Sequence, residues 1–287
     1  MSLPPEPDST PLTWLYVPGD RPDRVAKALG CDTDVLVVDL EDAVAPDRKE
    51  HALRATAELL SDPVPGPVPV HVRVNALDGP LAETEIRTLA PLPGLAGLRL
   101  PKVHGPEDIQ RAAAWATAGR TVPALPSFYA LLESALGIEH AFAIATAHPS
   151  LRGIALGEAD LRAELGLRDE AGLAWPRSRV VIAARAAGLA PPPQSVHPDV
   201  RDLDGLARTC AHGRDLGFLG RAAIHPRQLP VIEAAYLPSA GEIEAAEEIV
   251  KAAATDAGAQ ALPDGRFVDA AVVAGAQRVL ALAHRRR

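Results

Sequence analysis

Two acidic residues, Glu133 and Asp160, stand 27 residues apart, each at the end of a run with β-strand character. That distance is close to one strand-plus-helix unit, so we expect the two carboxylates on neighbouring strands, about 4.8 Å apart across the sheet. Carboxylates that close repel each other unless a cation lies between them. Mg²⁺ suits the pair because it takes oxygen ligands and leaves positions for water and substrate, whereas the His and Cys ligands of zinc sites are missing here. The spacing alone leaves open that each acid caps a helix or pairs with an arginine.

An arginine, Arg73, lies near the end of another strand-like run, VPVHVRVN, and could reach the same central cavity. A guanidinium beside a bound cation suits a substrate with carboxylate or carbonyl oxygens. The apolar run of LVVDLEDAV ends in Asp39, Glu41 and Asp42. We expect one or more of these acids, with Glu41 and Asp42 as the candidates, to orient Arg73 or metal-bound water. The alternative is that these acids only form an ion pair with Arg73, and the two roles are compatible. A second alternative, negative charge at the start of a helix, explains Asp47 better than it explains this cluster.

Basic and imidazole side chains follow two other predicted strands. Arg21, Arg24 and Lys27 come after the first strand, where they could meet phosphate groups, although solvated charges on a helix face explain them equally well. His225 is a lone histidine at the end of the last predicted strand. A single histidine more often packs or orients a neighbour than acts as a base, so we do not assign it the role of general base.

The elements that would position these residues alternate between strands and helices. Strand starts recur roughly every 30 residues, the length of one βα unit, and eight such units close a (β/α)₈ TIM barrel. The alternative, an open doubly wound sheet, usually carries G-x-G-x-x-G after its first strand, which VPGDRPDRV does not supply. The fifth strand could instead lie at 121–125. The predicted strands are 14–19, 34–40, 68–75, 97–103, 127–133, 152–160, 193–198 and 221–226.

Helices are predicted between the strands, for example at 47–61, 105–118 and 202–217, the last ending at Gly217 as a C-cap glycine. We predict three parts of the chain: a flexible N-terminal segment (1–12), a barrel domain (13–236) and a C-terminal helical appendage (237–287). The appendage is too small for a core of its own, so it should pack as a lid on its own barrel or a neighbour's.

Bulk composition excludes several classes of protein. The net charge of −8 argues against nucleic acid or an anionic membrane as the main partner. No stretch of 18 apolar residues predicts a membrane span, and the first residues lack the pattern of a signal peptide. The two cysteines, Cys31 and Cys210, provide neither a disulfide framework nor a metal motif. A cytoplasmic location is therefore expected.

The motifs, taken in order, resemble one family. WLYVPGDRPDRVAKAL, VVDLEDAVAPDRK, VRVN, LPKV, ALLESALGI, GEADL, GFLGRAAIHPRQL and DGRFVDAAVV are similar to those of the HpcH/HpaI aldolase and citrate lyase β-subunit family, in its CitE-like branch. The resemblance runs from about residue 13 to 283. It implies a TIM barrel, a Mg²⁺ cofactor and assembly into homotrimers or hexamers.

The resemblance also implies a role for individual residues. Arg73 would grip the oxo-acid, and Glu133 and Asp160 would bind both metal and substrate, with Gly157 lining the substrate site. Asp269, donated by a neighbouring subunit's C-terminal lid, would be the catalytic proton-transfer partner. Arg21 and Lys27 become candidates for the phosphates of coenzyme A.

The function that the resemblance implies is Mg²⁺-dependent carbon–carbon lysis. A 3-hydroxyacyl thioester of CoA or an acyl carrier protein, such as a citramalyl, malyl or citryl thioester, would be cleaved to an α-oxo-acid and an acyl thioester. The alternatives are a malyl-CoA-type thioesterase, a malate or citramalate synthase, or a non-catalytic acyl-CoA or carrier-protein binding subunit. A non-catalytic copy should have lost Arg73, Glu133 or Asp160, and this chain keeps all three.

Two motifs depart from the family pattern. Relatives usually place an acid directly before the metal-binding aspartate, whereas here the order is Glu158-Ala159-Asp160. The predicted seventh strand reads Gln194-Ser195-Val196-His197 in place of the usual Asp-Gly step. The resemblance therefore does not define which thioester is the substrate.

Overall fold

A computed structural model describes residues 11–118, 125–255, 260–261, 265 and 267–284. Contacts divide the chain into two compact units, one over Pro11–Glu233 and one that contains the described residues from Ala234 onward. The strands are β1 (Thr13–Pro18), β2 (Val35–Asp39), β3 (Val70–Arg73), β4 (Leu95–Leu100), β5 (Ser127–Leu132), β6 (Leu151–Leu156), β7 (Arg221–Ala223), β8 (Gln260–Ala261) and β9 (Phe267–Val268).

Twelve α-helices are found among the described residues, together with short 3₁₀ turns. They are α1 (Pro22–Leu29), α2 (Lys49–Leu60), α3 (Ala82–Leu89), α4 (Pro106–Thr117), α5 (Ala135–Glu139), α6 (Ala141–Ala145), α7 (Glu158–Leu165), α8 (Ala174–Ala186), α9 (Leu203–Asp215), α10 (Leu229–Tyr236), α11 (Ala240–Thr255) and α12 (Ala270–His284).

The larger unit is built on a seven-stranded parallel sheet. Its strand order is β6-β5-β4-β3-β2-β1-β7, so consecutive strands are neighbours and the last strand pairs with the first. A doubly wound sheet reverses its strand order at a switch point, and this sheet has no such reversal. The α/β class and the parallel sheet are as predicted, with the fifth strand at 127–132; most of the alternative at 121–125 lies outside the described residues.

Burial explains the apolar runs of the sequence. Every residue of β2 is buried, because strands of a parallel sheet have one face toward the interior and one toward the helices. The helices present one apolar face each: α4 buries Ile109, Ala112, Ala113 and Ala116, the spacing of a 3.6-residue repeat. Helix α9 ends as predicted, with Gly217 in the left-handed region at φ 92°.

Three predicted strands differ in the structure. The predicted seventh strand (193–198) is reduced to one parallel bridge, between Gln194 and Arg221. Prolines lack the N–H that a ladder needs, and PPP precedes Gln194 while Pro198 follows it. The last predicted strand is shorter, at Arg221–Ala223. The predicted strand 152–160 ends at Leu156, and its last residues form the first turn of α7.

The smaller unit contains α11, α12 and the two-stranded antiparallel sheet of β8 and β9. Helices α11 and α12 pack against each other. Within the described part of the chain, no helix combines the length and apolar character needed to cross a membrane.

Candidate active site

The polar side chains predicted to share one rim are brought together by strand register. Asp39, the last residue of β2, pairs directly with Arg73, the last residue of β3, and Arg73 pairs with Arg99 on β4. Side chains of paired residues lie on the same face of a sheet. The carboxyl ends of these strands therefore place an acid and two arginines in one row.

Arg73 is clamped by the acidic cluster at the end of β2. Its Nε and Nη2 each donate to one carboxylate oxygen of Asp39 at 2.7 Å, and its Nη1 lies 2.9 Å from Glu41 Oε2. Asp42, which is more exposed, lies 3.6 Å from the same nitrogen. Burial alone would lower the pKa of Arg73, but the hydrogen bonds and charge of Asp39 raise it above its ordinary value. The guanidinium is thus a permanently charged group held in one orientation.

All three acids of the cluster therefore face Arg73, and Asp39 makes the best-formed contact. The prediction named one or more of these three acids, with Glu41 and Asp42 as the candidates. In the structure the buried Asp39 makes the shortest contacts, and it also accepts hydrogen bonds from Glu41 N and Ala43 N. This arrangement gives a reason for ending a buried strand in negative charge: the acids hold one arginine.

Lys102 completes this network from the loop after β4. Its Nζ lies 2.7 Å from Glu41 Oε1, and its backbone adopts φ 50°, unusual for a residue other than glycine. Burial raises the pKa of Glu41, while Arg73 and Lys102 act in the opposite direction. Strained backbone at a strand end is common at functional sites.

Glu133 follows β5 and is the most perturbed acid of the site. Its side chain is buried, with 5% of the residue exposed, and its Oε2 has no hydrogen-bond partner. Burial, reinforced by the negative charges of Glu41 and Asp160, raises the pKa of Glu133 to about 8. A buried carboxylate oxygen without a partner beside a second acid is a position that a cation would satisfy.

Gly157 makes room for that carboxylate. A Cβ atom at Gly157 would lie 2.3 Å from Glu133 Cγ and 2.7 Å from its Oε1. Real Cβ atoms do not approach that closely, so a glycine is required for this position of the Glu133 side chain.

Asp160 is half-buried in the first turn of α7 and lines the same cavity as Glu133. The prediction placed the two acids on neighbouring strands. Strands β5 and β6 are paired, but Glu133 follows β5 and Asp160 is carried by the helix after β6. Glu158 does not share its role, because both Glu158 oxygens accept from Arg177 at 2.7 Å.

A cavity of about 490 Å³ opens at these strand ends. Its lining includes apolar residues and seven Asp, Glu and Arg residues: Arg24, Asp39, Asp42, Arg73, Arg99, Glu133 and Asp160. Within the described ranges, no group of three or more His, Cys, Asp and Glu side chains has a metal-binding arrangement. A cation here would therefore rest on the two carboxylates, with remaining positions free for water or substrate oxygens.

A second buried network supports the strand ends from behind. Lys49 Nζ donates to the carbonyl oxygens of Leu40 and Glu41 at 2.7 and 2.6 Å and to Asn75 Oδ1 at 2.8 Å. Asn75 N donates to the buried Glu85 at 2.7 Å. These contacts fix the backbone from which Glu41 and Arg73 project.

The other residues predicted to act in the site differ in what they contact. Arg24 lines the cavity, while Arg21 pairs with Asp23 at 3.2 Å and Lys27 is exposed on α1. His225 accepts a hydrogen bond from Arg227 N and so caps a 3₁₀ turn, in keeping with an orienting role. Asp269, in the smaller unit, caps α12 by accepting from two backbone N–H groups at 2.9 Å.

Sequence reasoning missed three contributors to the site. Arg99 was included in a predicted strand without a role, although a charge inside LRL was a signal that it faces something other than apolar core. Lys102 belongs to the same predicted strand, 97–103, and the sequence gives no sign that it pairs with Glu41. Tyr16, whose ring lies 5.4 Å from Arg73 Cζ, gave no signal that distinguishes it from a core aromatic.

A parallel α/β sheet with paired acids and a clamped arginine at its carboxyl ends defines a class: enzymes that bind a small anionic substrate through a metal at the strand ends. Residues 12–226 match the model of the HpcH/HpaI aldolase/citrate lyase family. The chain belongs to this family, which confirms the prediction made from its motifs.

Three similar proteins illustrate the range of this family. A (3S)-malyl-CoA thioesterase from Cereibacter sphaeroides is 36% identical over 275 residues, covering 94% of this chain and 93% of the relative. A mitochondrial citramalyl-CoA lyase from Homo sapiens is 32% identical over 253 residues, covering 83% and 74%. The crystal structure of CitE from Mycobacterium tuberculosis in complex with magnesium, acetoacetate and coenzyme A is 31% identical with a TM-score of 0.80, covering 96% and 99%.

Proposed function

We propose that the protein is a Mg²⁺-dependent carbon–carbon lyase that cleaves a 3-hydroxyacyl thioester into an α-oxo-acid and an acyl thioester. The observation that carries this proposal is the buried Glu133 oxygen without a partner, beside Asp160 and in the same cavity as a clamped Arg73. Lyase activity on a CoA thioester is the activity named for the human relative.

The residues fit a magnesium ion by the chemistry of their donors. Glu133 and Asp160 offer the hard carboxylate oxygens that Mg²⁺ prefers, and Glu133 has an oxygen that nothing else in the described structure satisfies. When bound, the ion would polarise the carbonyl of the oxo-acid unit as a Lewis acid. The CitE structure similar to this chain contains magnesium.

Arg73 would bind an oxygen of the oxo-acid unit, where the alkoxide formed by loss of the 3-hydroxyl proton carries negative charge. Asp39 and Glu41 already hold its guanidinium in place, so no reorganisation is needed during the reaction. In the cleavage direction a base takes the proton of the 3-hydroxyl group, the bond between C2 and C3 breaks, and its electron pair forms the thioester enolate. Protonation of that enolate at carbon then yields the acyl thioester.

Asp269 is our candidate for the group that transfers these protons. We infer that the segment 237–287 acts as a lid that brings it to the cavity of a neighbouring subunit in a homotrimer or hexamer. Arg21 and Lys27, with Arg24 at the cavity wall, are the candidates for contacts with CoA phosphates. These assignments extend the family resemblance.

We further infer a closed eight-stranded barrel in which the segment 193–198 occupies the seventh position. The parallel bridge of Gln194 to β7 supports it on one side, and the hydrogen bond from Glu158 N to Ser195 Oγ, at 3.3 Å, on the other. The barrel domain (13–236), the N-terminal segment (1–12) and the cytoplasmic location stay predictions.

A second candidate is hydrolysis of the thioester, because a relative at 36% identity is named a malyl-CoA thioesterase. The two reactions yield different products. Lysis releases an oxo-acid and keeps the thioester intact, whereas hydrolysis releases a free thiol and a hydroxy-acid.

The test is a cleavage screen over citramalyl-, malyl-, β-methylmalyl- and citryl-CoA with Mg²⁺. Oxo-acid is measured as a phenylhydrazone and free thiol with a disulfide reagent in parallel samples. We expect oxo-acid without thiol, abolished by EDTA and by Glu133→Ala or Asp160→Ala. Full activity in both variants would refute the mechanism, and thiol as the only product would establish the thioesterase.

A further inference from the structure

Arg99 is a buried cation in the lining of the cavity. Only 2% of the residue is exposed, yet it lines the cavity wall. Its guanidinium carbon lies 5.7, 5.9 and 5.3 Å from the ring centres of Trp14, Tyr16 and Tyr129. We call these three rings with Arg99 the aromatic cage.

The aromatic cage supplies no counter-charge. Among the described residues no carboxylate oxygen lies within 4.0 Å of Arg99, and its Nε is buried without a hydrogen-bond partner. The nearby His71 adds no charge of either sign, because burial and the charge of Arg99 lower its pKa well below the ordinary value and keep the imidazole neutral. Ring faces attract a guanidinium but accept none of its N–H bonds well. Arg73, by contrast, has three acids around it.

Neighbouring strands are shaped to hold this cage. A Cβ atom at Gly97 would lie 2.9 Å from the Tyr129 ring, and one at Gly153 would lie 3.0 Å from it. Glycines on both sides of Tyr129 thus make room for its ring, which also lies 4.7 Å from the ring of His71. The two glycines therefore leave space for a ring that surrounds the charged Arg99, as expected of a binding site.

The aromatic cage adjoins the groups assigned to catalysis, because Arg73 and Arg99 are paired in register and both lie over the ring of Tyr16. Arg73 is paired with acids at and beyond the end of β2, whereas Arg99 also contacts the rings of Trp14 on β1 and Tyr129 on β5. A thioester carrier is too large for a cavity of about 490 Å³ and must extend through the mouth. The part of the substrate inside the cavity, beside Arg73 and Arg99, is therefore the oxo-acid end.

We propose that Arg99 and its aromatic cage form a second anion subsite, which takes a distal carboxylate of the oxo-acid part of the substrate. The preferred substrates are then thioesters whose cleavage releases a 2-oxo acid with two carboxylates. This inference rests on the proposed lyase function, because it names the substrate class of the same cavity. A substrate carboxylate supplies both the missing charge and the missing acceptors.

The experiment compares two 2-oxo acids of the same shape by calorimetry, in the presence of Mg²⁺. Fresh oxaloacetate ends in a carboxylate where 4-methyl-2-oxopentanoate ends in an isopropyl group. We expect the wild-type protein to bind oxaloacetate roughly tenfold or more tightly, because hydrogen bonds to charged groups discriminate by at least that factor. Arg99→Met should abolish this preference, and the control Arg54→Met, at an exposed helix position, should keep it.

Equal affinity of the wild-type protein for both acids would overturn the inference, whatever the variants do. So would a preference that survives in Arg99→Met. The cleavage screen separates this result from the proposed function. If the protein cleaves malyl-CoA but binds the two acids equally, the anion subsite is refuted and the lyase function is not. If Arg99→Met loses the preference for oxaloacetate and the wild-type protein cleaves none of the thioesters, the lyase function is refuted and the anion subsite is not.

Discussion

Replacing Glu133 by glutamine should stabilise the metal-free protein at alkaline pH. The residue is 5% exposed and its carboxyl lies near the negative charges of Glu41 and Asp160, so the ionised form is disfavoured in the folded chain. Glutamine keeps the shape and one carbonyl oxygen without the charge. The structure thus predicts that a residue needed for metal binding is a liability when the metal is removed.

The magnitude follows from the pKa of Glu133, which is raised from 4.5 to about 8 by burial and by neighbouring acids. The folded state then holds a proton that the unfolded state has lost, so stability falls as the pH rises from 4.5 to 8. At 1.36 kcal/mol for each pH unit, the full effect is about 5 kcal/mol. The advantage of Glu133→Gln should be close to zero below pH 4.5 and largest above pH 8.

The assay is urea unfolding followed by tryptophan fluorescence, in EDTA, at pH 5 and pH 8. We expect the unfolding midpoints of wild type and Glu133→Gln to lie close together at pH 5 and to separate at pH 8, with the variant more stable. Added Mg²⁺ should raise the wild-type midpoint at pH 8 and leave the variant nearly unchanged, because a ligand stabilises only the state that binds it. Glu139→Gln, at an exposed position six residues away, is the matched control.

The reasoning would be wrong if Glu133→Gln were no more stable than wild type at pH 8 in EDTA. A variant that is stabilised by the same amount at both pH values would also contradict it, since the effect must follow the ionisation of one group. Either outcome would mean that the Glu133 carboxylate already has a partner in the metal-free protein and is not an unpaired ligand that awaits a cation.

Two further predictions concern the same cavity. Gly157→Ala should cost roughly 1–3 kcal/mol of stability and abolish Mg²⁺ binding by calorimetry, because its Cβ would overlap Glu133 Cγ; Gly241→Ala, with open space around it, should do neither. Asp160→Asn should lower kcat/KM roughly 100-fold or more, since a metal's charge stabilisation is worth several kcal/mol. Glu158→Gln should stay within about tenfold of wild type, because an arginine already holds that carboxylate. Equal losses in Asp160→Asn and Glu158→Gln would refute this division of roles.

Local pattern was enough to predict the class of fold and the main acids of the site. Apolar runs separated by helical segments indicate a parallel sheet, and polar residues at the ends of such runs must meet at one edge. Arg73, Glu133 and Asp160 could therefore be singled out from type and position, whereas Gly157 was indicated only by the resemblance to the family. The boundary between strand and helix at residues 157–160 could not be predicted in this way, because GEADL fits either element until the cap is seen.

Contacts between distant residues were decided only by the tertiary structure. Lys102 donates a hydrogen bond to Glu41, 61 positions away in the sequence, and Arg73 donates one to Asp39, 34 positions away. The sequence contained Arg99 and all three rings around it, but nothing in their spacing shows that they converge. Strand register decides which side chains face one another, and register depends on packing of the whole sheet. The chain thus determines by itself which groups stand at the strand ends, while the folded sheet decides which of them are paired and which charge is left for a substrate.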